Sequence, residues 1–189
     1  MIPEGHDGFI CFITSHSTSA GIRTTNAKGI VTVDELTTRL NGKQCKHLRG
    51  KPKLFFIQAC RGRKTDKGVS VEDPDVATDA TADDETVVPK LPTDADFLIC
   101  YSTIKSHISL RRFSMDIKEK EMGSWFIHVL TNVFTEYMHK ECVMQMMIRV
   151  NAQVANMATG DDHVDGKKEM PCQMVRLRAR LRLGNHASK

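Results

Sequence analysis

The sequence has no apolar run approaching the ~18 residues of a membrane-spanning helix, so no membrane association is expected. It has no CxxC pair: Cys11, Cys45, Cys60, Cys100, Cys142 and Cys172 are scattered over 189 residues, which argues against a zinc site or a disulfide framework. It has little charge of one sign. The formal balance is +4, with acids and bases interspersed over most of the chain, and a nucleic-acid partner is not called for. The opening stretch, MIPEGHDGFICFIT, has an acid near its start and a short apolar run with no small-residue cleavage site. No signal peptide is expected, and the thiols are then expected to be reduced. What is present, 40% hydrophobic residues, suits one globular domain with a real core.

GFICFIT (8–14) is a short apolar run between polar flanks and predicts a strand buried on both faces. The turn-rich STSAGIRTTNAKG predicts loop. TVDELTTRLNG places Val33, Leu36 and Leu40 at helical spacing with Gly42 as a stop, and PKLFFIQA predicts a second buried strand. Strand, helix, strand suggests a parallel pair joined by a crossover. From Arg63 to Thr93 large apolar residues nearly vanish and no amphipathic period remains, which marks a linker that is functional or disordered. DADFLICYST (94–103) predicts a third strand, followed by the charged loop SHISLRRFSMDIKEKEM. Two helices follow. One carries a stripe from Trp125 and Phe126 to Tyr137 and Met138; the other carries Val143, Met146, Met147, Val150, Val154 and Met157. CQMVRLRARLRL alternates strictly and predicts a last strand. The ten methionines are expected as core filler.

One apolar run, KLFFIQ, ends at Cys60, followed at once by Arg61 and Gly62. Open α/β sheets place ligands just past the carboxyl ends of their strands. Gly62 would let the backbone approach a substrate closely, and Arg61 would favour a thiolate if turned inward. His16 ends the first strand in the same way. Taken singly, such a cysteine is more often a small buried hydrophobe and such a histidine a structural residue. Together, at matching strand ends, they form the minimum for thiol proteolysis: imidazole handles the thiol proton and later protonates the leaving amine.

QACRG at 58–62 resembles the caspase signature, a pentapeptide known for its catalytic cysteine with a histidine about 50 residues upstream. CFITSH, NGKQCKHLRGKPKLFFIQACRG, ADFLICYST, GSWFIHVL, MIRVNAQVA and KKEMPCQMV resemble caspase segments in the right order, covering most of residues 8–182. The resemblance implies a three-layer α/β sandwich: a mostly parallel central sheet with helices on both faces, here missing its N-terminal strands. It implies a cytoplasmic cysteine endopeptidase cutting protein substrates after an exposed aspartate, in apoptosis or related signalling, with no metal or cofactor. The catalytic residues match His16 and Cys60, and the oxyanion hole matches the N–H groups of Ser17 and Cys60. The substrate pocket matches Ser15, Gln58, Ser109, Leu110 and Arg111, the last holding the substrate carboxylate bidentately. Residues 1–62 resemble the large-subunit part with His and Cys, 63–93 the acidic intersubunit linker, cut after Asp75 or Asp79, and 94–189 the small-subunit part. A homodimer, or a heterodimer with another caspase, is implied. A rival expectation is a weak or inactive caspase-like regulator that dimerises with active relatives.

The chain departs from the family pattern in four places. Ser17 stands where the family has glycine, and would be strained there if the position needs a positive φ. The STSAG loop is one residue longer than expected. Leu110 replaces a tryptophan, and about seven extra residues separate Arg111 from Gly123, which opens Arg112 as an alternative register. Two strands, a helix and a second pocket arginine are expected before residue 8 and do not occur in this sequence. DDHVDG (161–166) faintly resembles a calcium loop, but Cys172 stands where the twelfth-position glutamate belongs. Arg176, Arg178, Arg180 and Arg182 are expected on the solvated face of the last strand rather than as a basic ribbon for nucleic acid.

Overall fold

The computed structural model describes residues 5–18, 20–26, 29–65, 91–110, 124–158 and 166–183. Its elements are β1 (Phe9–Thr14), β2 (Ser17–Thr18), β3 (Gly21–Arg23), β4 (Ile30–Val31), α1 (Val33–Leu40), β5 (Lys53–Gln58), β6 (Gly62–Lys64), β7 (Phe97–Tyr101), β8 (Ser106–His107), α2 (Trp125–Tyr137), α3 (Val143–Asn156) and β9 (Cys172–Val175). The candidate cleavage sites Asp75 and Asp79, the pocket candidate Arg111 with its alternative Arg112, and all but Gly166 of DDHVDG lie outside the described residues.

Four strands form the central sheet in the order β1-β5-β7-β9. β1, β5 and β7 are parallel; β9 runs antiparallel along β7. Strands buried on both faces read as continuous apolar runs, and β5 and β7 are buried at every position. Successive side chains point to opposite faces. Leu54, Phe56, Leu98 and Cys100 therefore meet α2 and α3 through Phe126, Leu130, Met146 and Val150. Phe55, Ile57, Phe97 and Ile99 face the other way, toward Val33, Leu36 and Leu40 of α1. The result is a mostly parallel sheet with helices on both faces, as the sequence predicts. β1 is an edge strand. Its outer positions stay open, with Phe12 62% and Ile10 47% exposed, so it alternates where continuous burial is expected.

The helices begin where side-chain chemistry allows. Thr32 caps α1 in a capping box: Glu35 N–H donates to the Thr32 hydroxyl, and the Glu35 carboxylate accepts from Thr32 N–H at 2.7 Å. The Ser124 hydroxyl accepts from Ile127 N–H at the start of α2.

Two further expectations fail locally. Residues 17–29 are not loop throughout: they contribute β2 and β3, which form a small antiparallel sheet with β4. The last strand stops at Val175. Beyond it Leu177, Leu181 and Leu183 pack on the core under α2 and α3, with Leu181 C=O accepting from Val143 N–H at 2.8 Å. The arginines between them do not line one solvated face. Arg178 grips Asp96 with two bonds of 2.9 Å, and the Arg176 guanidinium lies over the Phe97 ring.

Candidate active site

β1 and β5 pair in register up to Thr14 opposite Gln58, and Ser15 N–H donates to Gln58 C=O at 3.2 Å. His16 and Cys60 each follow that pair by two residues, so both emerge at the carboxyl edge of the parallel strands. The sequence expectation of matching strand ends is met by the backbone. His16 is exposed and Cys60 half-buried.

The thiol is held on its other side. Ser109 N–H donates to Cys60 Sγ at 3.3 Å, and the thiol lies 3.9 Å from Ser109 C=O. Among the described residues the hydrogen bonds of this thiol run to Ser109, with none to the His16 imidazole. A cleft of about 420 Å³ opens beside Cys60, lined among others by Ser17, Thr18, Arg61, Tyr101 and Lys105. The Arg61 guanidinium stacks on the Tyr101 ring, 3.9 Å from its centroid. This stacking fixes it at the cleft wall.

Gly62 is required for a reason the sequence does not show. β6 pairs with β8, and a Cβ on Gly62 would fall 2.1 Å from Ser106 C=O. The close approach is between two pieces of this chain; the sequence expectation was approach to a substrate. Ser106 itself has φ 73°.

Ser17 lies in β2, outside the positive-φ residues of the described chain, so the strain considered for a serine here is not incurred. Its hydroxyl is buried without a hydrogen-bond partner among the described residues.

Three of the pocket candidates, Gln58, Ser109 and Leu110, are linked to one another. Gln58 is 2% exposed. Its amide accepts from the Ser124 hydroxyl and donates to the Ser109 hydroxyl. Ser15 lies apart from this chain of bonds, its hydroxyl donating to Arg23 C=O at 2.8 Å. Leu110 is buried, and its N–H donates at 2.5 Å to the carboxylate of Glu169, which also accepts from the Ser109 hydroxyl at 3.1 Å. Glu169 was not among the residues the sequence points to. It lies in KKEMPCQMV, and its one signal is an acid placed directly before an apolar stretch that enters a strand. Burial pushes its carboxyl up to about 7, against the lowering effect of the Leu110 and Ser109 bonds.

Fold and site together define a class: an α/β sandwich with a cysteine and a histidine at the carboxyl ends of adjacent parallel strands, beside a hydrogen-bonded polar cluster. The caspase domain family matches residues 3–182, and the chain belongs to that family. It is 39% identical over 167 residues to caspase-3 of Oryctolagus cuniculus, covering 87% of this chain and 54% of that protein. It is 40% identical to caspase-3 of Mus musculus with the same coverage. Caspase-7 of Gallus gallus is 37% identical over 176 residues, 92% of this chain and 54% of that protein. The chain thus spans about half the length of these relatives.

Proposed function

We propose that this chain provides the nucleophile-bearing part of a caspase-type cysteine endopeptidase that cleaves after aspartate, in apoptosis or related proteolytic signalling. The observation that carries this reading is the shared register of His16 and Cys60 two residues past the Thr14–Gln58 pair. His16 takes the Cys60 thiol proton. The thiolate attacks the backbone carbonyl carbon of the aspartate, and the oxyanion is met by the N–H groups of Ser17 and Cys60. The imidazolium gives its proton to the leaving amine, and water then hydrolyses the thioester. Gln58, Ser109, Leu110 and Ser15 shape the pocket, and Arg111 grips the carboxylate. Residues 1–62 act as the large-subunit part, 63–93 as a linker cut after Asp75 or Asp79, and 94–189 as the small-subunit part of a cytoplasmic dimer. The test is turnover of a fluorogenic peptide ending in Asp against the same peptide ending in Asn. The expected result is hydrolysis of the first only, abolished in Cys60→Ala. Equal turnover of both, or turnover that survives Cys60→Ala, counts against the assignment.

A second reading has its own support. The thiol bonds to the Ser109 backbone, and the amide of Gln58 is satisfied within the chain on both sides. A pocket so engaged suits a catalytically weak partner that dimerises with active caspases and regulates them. In that case Cys60→Ala alters the rate of an added active caspase as strongly as the unchanged chain does.

A further inference from the structure

Glu169 is 2% exposed, and among the described residues its carboxylate accepts from two neutral donors. Leu110 N–H reaches one carboxylate oxygen and the Ser109 hydroxyl the other. Ser109 is the junction of the site. Its N–H donates to the Cys60 thiol, and its hydroxyl receives the amide of Gln58. Gln58 in turn binds Ser124 at the cap of α2. One buried acid therefore holds the segment that touches both the nucleophile candidate and the pocket. Arg111 follows Leu110 directly in the sequence.

We propose that Glu169 is a positioning residue: by gripping Ser109 and Leu110 its carboxylate sets where the Ser109 amide stands against Cys60 and how Gln58 is presented. The effect on turnover rests on the peptidase reading above; the effect on the thiol does not.

The two protonation states differ in what they can accept. Ionised, the carboxylate accepts from both donors with both oxygens. Protonated, it has no charge and one oxygen carries a hydrogen, so it accepts more weakly from the two donors. Glu169 therefore holds the segment more firmly above about 7 than below it. Among the described residues the groups bonded to it are Leu110 N–H and the Ser109 hydroxyl from the segment after β8. The Cys60 thiol and Gln58 amide of the β5 end lie beyond Ser109. Ser124 of the α2 cap lies beyond Gln58. On its own segment the charges are Lys167 and Lys168, and the Lys168 ammonium donates to Ala155 C=O in α3.

The experiment compares the full chain with Glu169→Gln, a neutral isostere. Two rates are read at about pH 6 and about pH 8, one unit either side of the titration: alkylation of Cys60 by iodoacetamide, and kcat/KM on an Asp-ended peptide. At the higher pH the unchanged chain is expected to be faster by about tenfold, the scale of one lost charge-assisted hydrogen bond. At the lower pH both chains carry a neutral group at 169, and their rates converge. A residue of purely structural importance would give the same ratio at both pH values, and that result overturns the proposal. Convergence in alkylation without any peptide turnover upholds the positioning role and counts against the peptidase reading alone. Should Glu169→Gln fail to fold, amide exchange of Leu110 in the unchanged chain decides. Corrected for its intrinsic pH dependence, protection should rise several-fold between the two pH values, and constant protection overturns the proposal.

Discussion

A side chain at Gly62 would collide with Ser106: the first carbon would lie 2.1 Å from that carbonyl oxygen and 2.4 Å from its Cα. Both contacts are backbone, so no flexible side chain can give way. Gly62→Ala is expected to separate β6 from β8 and destabilise the fold by about 3 kcal/mol, the upper end of overpacking costs. Because Ser109 follows β8 by two residues, the bond from Ser109 N–H to Cys60 should loosen as well. Thermal melting checks the first effect and the alkylation rate of Cys60 the second. A melt within a degree of the unchanged chain would show that the two strands can part freely.

Stability should also depend on pH through Glu169. Its folded carboxyl holds a proton up to about 7, whereas the ordinary value is 4.5. Between those values the folded chain binds a proton that the unfolded chain has released, so stability falls as pH rises through that window. The full loss is on the order of 3 kcal/mol above about pH 7. Melting curves of the unchanged chain should therefore drop from pH 5 to pH 8 relative to Glu169→Gln. Parallel pH profiles for the two chains would contradict this.

Much of the architecture is legible in the sequence because burial on two faces leaves a continuous apolar trace. Leu54 to Ile57 and Phe97 to Tyr101 form such runs, and all are buried. The α2 stripe from Trp125 to Val133 and the α3 stripe from Val143 to Val154 face the core as their spacing implies. The hairpins of β2, β3 and β4 are not legible. Strands of two or three residues, such as Ser17–Thr18, are too short to show a period and are built from turn-forming residues. The alternation after Val175 was legible as alternation but not as its cause. The leucines do face the core, while Arg178 turns to Asp96 and the segment leaves the sheet. In the site, His16 and Cys60 follow from strand ends. Glu169 does not, because its importance comes from the partners Ser109 and Leu110, which lie about sixty residues away in sequence.

Gln58 is a second place where a buried amide organises the pocket. Gln58→Ala removes one of the partners of each of the Ser124 and Ser109 hydroxyls, which keep Ile127 N–H and the Glu169 carboxylate. Each lost hydrogen bond costs about 0.5–1.5 kcal/mol, and α2 should fray at its start because Ser124 is its cap. Hydrogen exchange at Ile127 N–H, the group that Ser124 caps, should rise. Unchanged exchange there would mean that the bond to Gln58 does not brace the helix.

Processing of the linker makes a separate expectation. Incubation with an active caspase should give fragments of about 8 and 13 kDa, as cutting after Asp75 or Asp79 requires at ~110 Da per residue, since loop tips are the preferred sites of nicking. Mass spectrometry that places every cut outside residues 61–93 would remove this part of the account.

The central claim is that His16 and Cys60 form a working pair, and site-resolved alkylation of the six cysteines tests it most directly. Cys11, Cys45, Cys60 and Cys172 are all half-buried, while Cys100 and Cys142 are buried, so exposure does not single out Cys60. Burial also raises the thiol of Cys11 and, more strongly, that of Cys100. Near neutral pH, iodoacetamide should label Cys60 at least about tenfold faster than Cys45 or Cys172, as a thiolate beside an imidazole does, and His16→Ala should erase that advantage. Equal labelling of Cys45, Cys60 and Cys172, or a Cys60 advantage that survives His16→Ala, would contradict the account.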